Sequence, residues 1–78
     1  MDTRSFSEIV AKRVEAAITQ SGETQLGVAL ATGIPRSTLA RRLSGYSPFT
    51  VSELSAIATA LGVDVLTLVA PAPTVAAS

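Results

Sequence analysis

Thr24-Gln-Leu-Gly-Val-Ala-Leu-Ala-Thr-Gly-Ile-Pro-Arg-Ser-Thr-Leu-Ala-Arg-Arg-Leu-Ser-Gly45 is the stretch that decides how this chain folds. Thr24 is a good N-cap, and the inward stripe of the helix it opens is Val28, Ala29 and Thr32. Gly33 suits the left-handed residue that closes such a helix, and Ile34 plugs the core beside the turn. Pro35 suits the first position of a new helix, where its missing N–H costs nothing. Leu39 and Leu43 turn that helix inward, and Gly45 ends it. Successive residues lie about 100° apart around a helix, so Ser37, Arg41 and Ser44 point away from the core while Arg36 and Arg42 fall on the two flanks.

The flanking sequence predicts more helices. Ser5 with Glu8 fits a capping box, and Phe6, Val10, Val14, Ala17 and Ile18 recur at helical spacing up to about Gln20, with Ser21-Gly22 as the stop. The opposite face holds Glu8, Lys12 and Glu15 at ion-pair spacing. Downstream of a Tyr46-Ser47-Pro48-Phe49 loop, Thr50 and Glu53 form a second capping box. They open a helix that buries Leu54, Ile57, Ala58 and Leu61 and stops at Gly62. Asp64 caps a short helix from Val65 to Ala70, with Leu66 and either Val69 or Leu68 facing in. The expected fold is all-α, with four or five helices around one core. Residues 1–70 form the domain, and 71–78 form an uncharged tail without helical pattern.

Composition narrows the function. The 78 residues carry no Cys and no His, which removes thiolate metal sites, the commonest zinc ligand and the usual general base. No nucleophile–base set can be assembled, so the chain reads as a non-enzyme without metal, cofactor or small-molecule ligand. The glycines precede no Gly-Lys-Ser/Thr and form no G-x-G-x-x-G, so they read as helix stops and not as a phosphate cradle. Met1-Asp-Thr-Arg-Ser-Phe-Ser-Glu8 has no basic start followed by an apolar run. The apolar stretch from Val63 to Ala77 is interrupted by Asp64, Pro71 and Pro73, short of the ~20 residues a membrane helix needs. A cytoplasmic protein with no membrane partner is expected.

Formal net charge is zero, yet no acidic residue lies between Glu23 and Glu53, while Arg36, Arg41 and Arg42 all do. The middle third is therefore locally +3. The carboxylates sit in the flanking segments, where repulsion of phosphate fades beyond a Debye length of about 8 Å. An arginine-bearing face on the second of two short, tightly joined helices suits duplex DNA.

The same residues resemble the helix-turn-helix of the phage Cro and cI repressor family, also called the XRE family. The resemblance rests on Thr24-Gln25, Ala29 where two helices cross closely, Gly33-Ile34, Leu39, and Leu43-Ser44-Gly45, with Leu61-Gly62-Val63-Asp64 further on. It covers roughly residues 5–70 and implies a lambda-repressor-like domain. It also implies that Arg36, Ser37 and Arg41 touch base edges, arginine forking onto guanine O6 and N7. Gln25 would contact a phosphate at a helix N-terminus. Arg42, Ser44, Tyr46 and Ser47 would contact or support the DNA backbone. Leu26 and Leu30 depart from the family, which often has polar residues on that face, and the position of Arg42 is frequently apolar in relatives.

The function implied is that of a Cro-like transcriptional repressor. It would bind an inverted-repeat double-stranded operator as a homodimer, with its third helices about 34 Å apart. The apolar residues of the last helix exceed what so short an element can bury, and a second copy would cover the excess. An antitoxin or restriction-system controller would use the same motif. A protein-interaction module using Leu26, Leu30 and the C-terminal apolar surface is the contrasting reading.

Overall fold

The computed structural model describes residues 3–69, with side chains from residue 6 onward. The tail at 71–78 and its boundary with the domain lie outside the described residues. Five helices follow one another: α1 (Thr3–Ser21), α2 (Gln25–Thr32), α3 (Arg36–Leu43), α4 (Val51–Leu61) and α5 (Val65–Val69). None is long and apolar enough to cross a membrane.

Local chemistry sets most of these limits. The Thr24 hydroxyl accepts the Gly27 N–H at 2.9 Å, capping α2. Thr50 and Glu53 form the reciprocal box at α4: the Glu53 N–H donates to Thr50 Oγ1 at 3.1 Å, and the Thr50 N–H donates to Glu53 Oε1 at 2.9 Å. The Leu66 N–H donates to Asp64 Oδ1 at 2.9 Å at the start of α5. Gly62, at φ 71°, ends α4, and the Val63 N–H then reaches the Ala58 carbonyl at 3.0 Å.

The core is built from one stripe of each helix: Val10, Val14, Ala17 and Ile18 of α1, Val28 and Ala29 of α2, Leu39 of α3, Leu54, Ile57 and Ala58 of α4, and Leu68 of α5. Ile34 joins it from the α2–α3 turn. Helix α2 packs on α3 and α4, α5 packs on α1 and α4, and α1 also meets α3. Burial of this kind stabilises by roughly 1.5–3 kcal/mol for each large apolar side chain before conformational entropy is subtracted.

Several expectations are corrected. Helix α1 begins at Thr3, so Ser5 lies inside it and is not its cap. Phe6, expected in the core, is half exposed, whereas the neighbouring Ser7 is buried, so at this end of α1 the covered side is not the one Phe6 occupies. The spaced charges Glu8, Lys12 and Glu15 form no ion pair among the described residues; exposed partners gain little over their hydration and their side-chain entropy. Pro35 is the N-cap of α3 and not its first helical residue: its ψ of 140° is extended, and its carbonyl accepts the first helical bond, from Leu39, at 2.9 Å. In α5 it is Leu68 that is fully buried, while Leu66 is 62% exposed, since a five-residue helix presents only one narrow face to α1 and α4.

Candidate nucleic-acid interface

The turn between α2 and α3 takes three residues, Gly33 to Pro35, and two devices shape it. Gly33 adopts φ 78° and returns its N–H to the Ala29 carbonyl at 2.9 Å, closing α2 while reversing the chain. Thr32 then bridges helix and turn. Its hydroxyl donates to the Val28 carbonyl at 2.8 Å and accepts the Ile34 N–H at 3.2 Å. That N–H, beside a buried side chain, would otherwise lack a partner. Helical periodicity puts Thr32 in the inward stripe, and the second bond shows why a hydroxyl serves there.

Helix α3 is anchored by Leu39, fully buried, with Leu43 packed against the edge of the core. Seating Leu39 inward turns Ser37, Ala40, Arg41 and Ser44 outward on one face, all exposed. Arg36 is exposed at the helix start, where no side chain caps the first backbone N–H groups. The N-terminal end of α3 thus presents unpaired donors, a local positive potential and a guanidinium together. Neither the Arg36 nor the Arg41 guanidinium has a hydrogen bond or ion pair among the described residues.

Arg42 differs sharply. Its Nε donates to Glu53 Oε1 at 2.9 Å, its Nη2 to Glu53 Oε2 at 3.3 Å, and its Nη1 to Ser47 Oγ at 2.7 Å. It is the one ion pair among the described residues, and only about a fifth of either side chain is exposed. The hydrogen bond with Arg42 is the main reason that the Glu53 carboxyl sits below its ordinary range, and that same bond raises the already high pKa of Arg42. Sequence reasoning gave Glu53 a capping role only; the helical spacing within α4 carries no signal for a partner eleven residues upstream.

The remaining candidates divide similarly. Gln25 is exposed at the first position of α2, and Tyr46 is 81% exposed in the loop after α3. The Ser44 hydroxyl donates to the Arg41 carbonyl at 2.8 Å and accepts the Tyr46 N–H at 3.3 Å, so it finishes the helix end. Ser47 is taken up by Arg42. The structure therefore leaves Ser37 and Arg41 on one open face with Ser44 at its far end and Arg36 exposed on its flank at the helix start, and draws Arg42 and Ser47 into the protein. Lys12 and Glu8 of α1 border the C-terminal end of α3, lining a shallow cleft with Leu43, Ser44 and Gly45. At Gly45 an added Cβ would lie 3.2 Å from the Glu8 side chain, so glycine there lets α1 and the end of α3 approach closely.

Among known proteins, a family model described as helix-turn-helix matches residues 11–68, most of the chain. Neither the curated proteins nor the solved structures give a significant match.

Proposed function

The chain belongs to the XRE-type helix-turn-helix family of DNA-binding regulators, and from that premise we propose that it is a sequence-specific repressor of the Cro type. It works as a homodimer in the cytoplasm on an inverted-repeat operator. The observation that carries this reading is the outer face of α3, where the Arg41 guanidinium stands exposed, without a partner among the described residues, on the side opposite fully buried Leu39. A guanidinium held in that way has its donors free for a guanine edge. Arg36 and Ser37 read neighbouring bases from the N-terminal end of the same helix. Gln25 and Tyr46 hold the DNA backbone, while Ser44, Ser47 and Arg42, whose side chains are engaged within the protein, support the end of the helix behind them.

The dimer is supported by the apolar surface left uncovered on α1 and α5, which pack together: Phe6, Ile9 and Leu66 are between 41% and 62% exposed. A two-fold pair would set its α3 helices about 34 Å apart, one turn of duplex. Selection from a random duplex pool tests the whole reading. A symmetric pair of half-sites is expected, with affinity for them falling steeply between about 50 and 200 mM salt as counterions are released.

A second reading, a protein-interaction module, is favoured by Leu26 and Leu30, 44% and 76% exposed on α2. No selected sequence together with a flat salt response would overturn the first reading and favour that alternative.

A further inference from the structure

Helix α3 has eight residues and a single fully buried anchor, Leu39. Leu43 adds contact at the edge of the core along the same side, and a rod held along one side can still roll about its axis. A roll of about 10° at a radius of about 6 Å moves a side-chain end by about 1 Å, enough to spoil a two-pronged hydrogen bond. The α2–α3 turn restrains the N-terminal end through Gly33 and Thr32. At the other end the restraint is electrostatic: Glu53 receives the Arg42 guanidinium on both oxygens while its Oε1 also caps the Thr50 N–H. One carboxylate therefore ties the last turn of α3 to the first turn of α4.

From this geometry, and resting on the DNA reading above, we infer that Glu53, acting through Arg42, is a positioning residue for base recognition: it sets the rotation of α3 and hence the aim of Arg41. The neighbouring residues make this coupling direct. Arg41 and Arg42 are consecutive, so their directions differ by about 100°, and holding the second orients the first. Ser47, accepting from Nη1 at 2.7 Å, fixes the guanidinium plane from the loop side. Arg42 also neutralises the Glu53 carboxylate, so the pair adds no net charge beside the exposed guanidiniums of Arg36 and Arg41.

The test is a binding ratio, cognate duplex over scrambled duplex, measured for the wild type, Glu53→Gln, Arg42→Met and the double variant. Glutamine keeps an oxygen for the Thr50 N–H, so helix α4 retains its cap, and methionine keeps the apolar stem of Arg42. For each single variant we expect the ratio to fall about tenfold, the size of one lost base pair contact, with scrambled-duplex affinity within about twofold. The double variant should lose no more than either single one, as members of one interaction do. Three results would overturn the assignment: an unchanged ratio, a parallel loss on both duplexes together with a lowered melting temperature, or a fall in scrambled-duplex affinity confined to Arg42→Met, which would make Arg42 a phosphate contact. A wild-type ratio of one is a different failure, since it removes base reading itself and the positioning role with it.

Discussion

The outer flank of α3 and its inner flank carry the same residue type one position apart, and the two arginines live in opposite surroundings. Arg41 is exposed and unpaired among the described residues; Arg42 spends three of its five N–H donors on Glu53 and Ser47. A helix that recognises something outside its own molecule needs both. One side chain must keep its hydrogen-bonding capacity unspent, and another must spend it to hold the first in place. The residue type does not distinguish these roles; what packs beside each one does.

The largest effect that would break the comparison comes from the anchor beneath both arginines. Leu39→Ala removes a fully buried side chain, and a loss of about 2–5 kcal/mol of stability is expected in urea unfolding. A change below about 1 kcal/mol would mean that α3 is not held through Leu39, and the outward direction of Arg41 would lose its cause.

Next in size is Arg41→Ala. Affinity for the selected site should drop by about 1–3 kcal/mol, with base choice relaxed at one position of each half-site. Stability should stay within about 0.5 kcal/mol of the wild type. Gln25→Ala should instead weaken binding to all duplexes alike; identical sequence-independent losses from both changes would erase the division between base-reading and backbone-holding residues.

Gly33→Ala probes the turn that presents α3. Nothing lies within 4 Å of an added Cβ, so the penalty is that of a left-handed backbone alone, about 1–2 kcal/mol, seen as a lowered melting temperature with the binding ratio preserved. A loss beyond about 3 kcal/mol would point to strain stored elsewhere in the turn.

The smallest effect sharpens the inner flank. Because the Glu53 carboxyl is depressed, the contribution of its ion pair is fully present above the ordinary glutamate range, near pH 4.3, and fades as pH falls through the lower, folded-state value. Wild type and Glu53→Gln should therefore converge in stability on acidification and differ at neutral pH. A difference that persists unchanged into strong acid would show that the carboxylate charge plays no part.

Much of this was legible in the linear sequence because the signals are local. Thr24, Gly33, the Thr50–Glu53 box, Gly62 and Asp64 each act within four residues of where they stand, and each marks a helix limit that the folded chain observes. The outward direction of Ser37, Arg41 and Ser44 followed from Leu39 and Leu43, since helical periodicity alone relates the two faces. Misplacements came where a residue's surroundings depend on a distant element. Leu66 and Leu68 are equally apolar and two residues apart, and only the position of α1 and α4 selects Leu68 for burial. Phe6 matches the inward stripe of α1 and still stands half exposed, while Ser7 beside it is buried, a choice set by which side of α1 the rest of the chain covers.

By itself, then, the order of residues determined an all-α chain of four or five helices, most of their limits and the face that α3 turns outward, all consequences of hydrogen bonds and periodicities spanning a few positions. Tertiary structure alone decided which arginine is kept and which is spent. The 2.9 Å contact from Arg42 to Glu53 joins residues eleven apart on different helices, and no local rule brings a side chain across that gap until the two helices have packed on a common core.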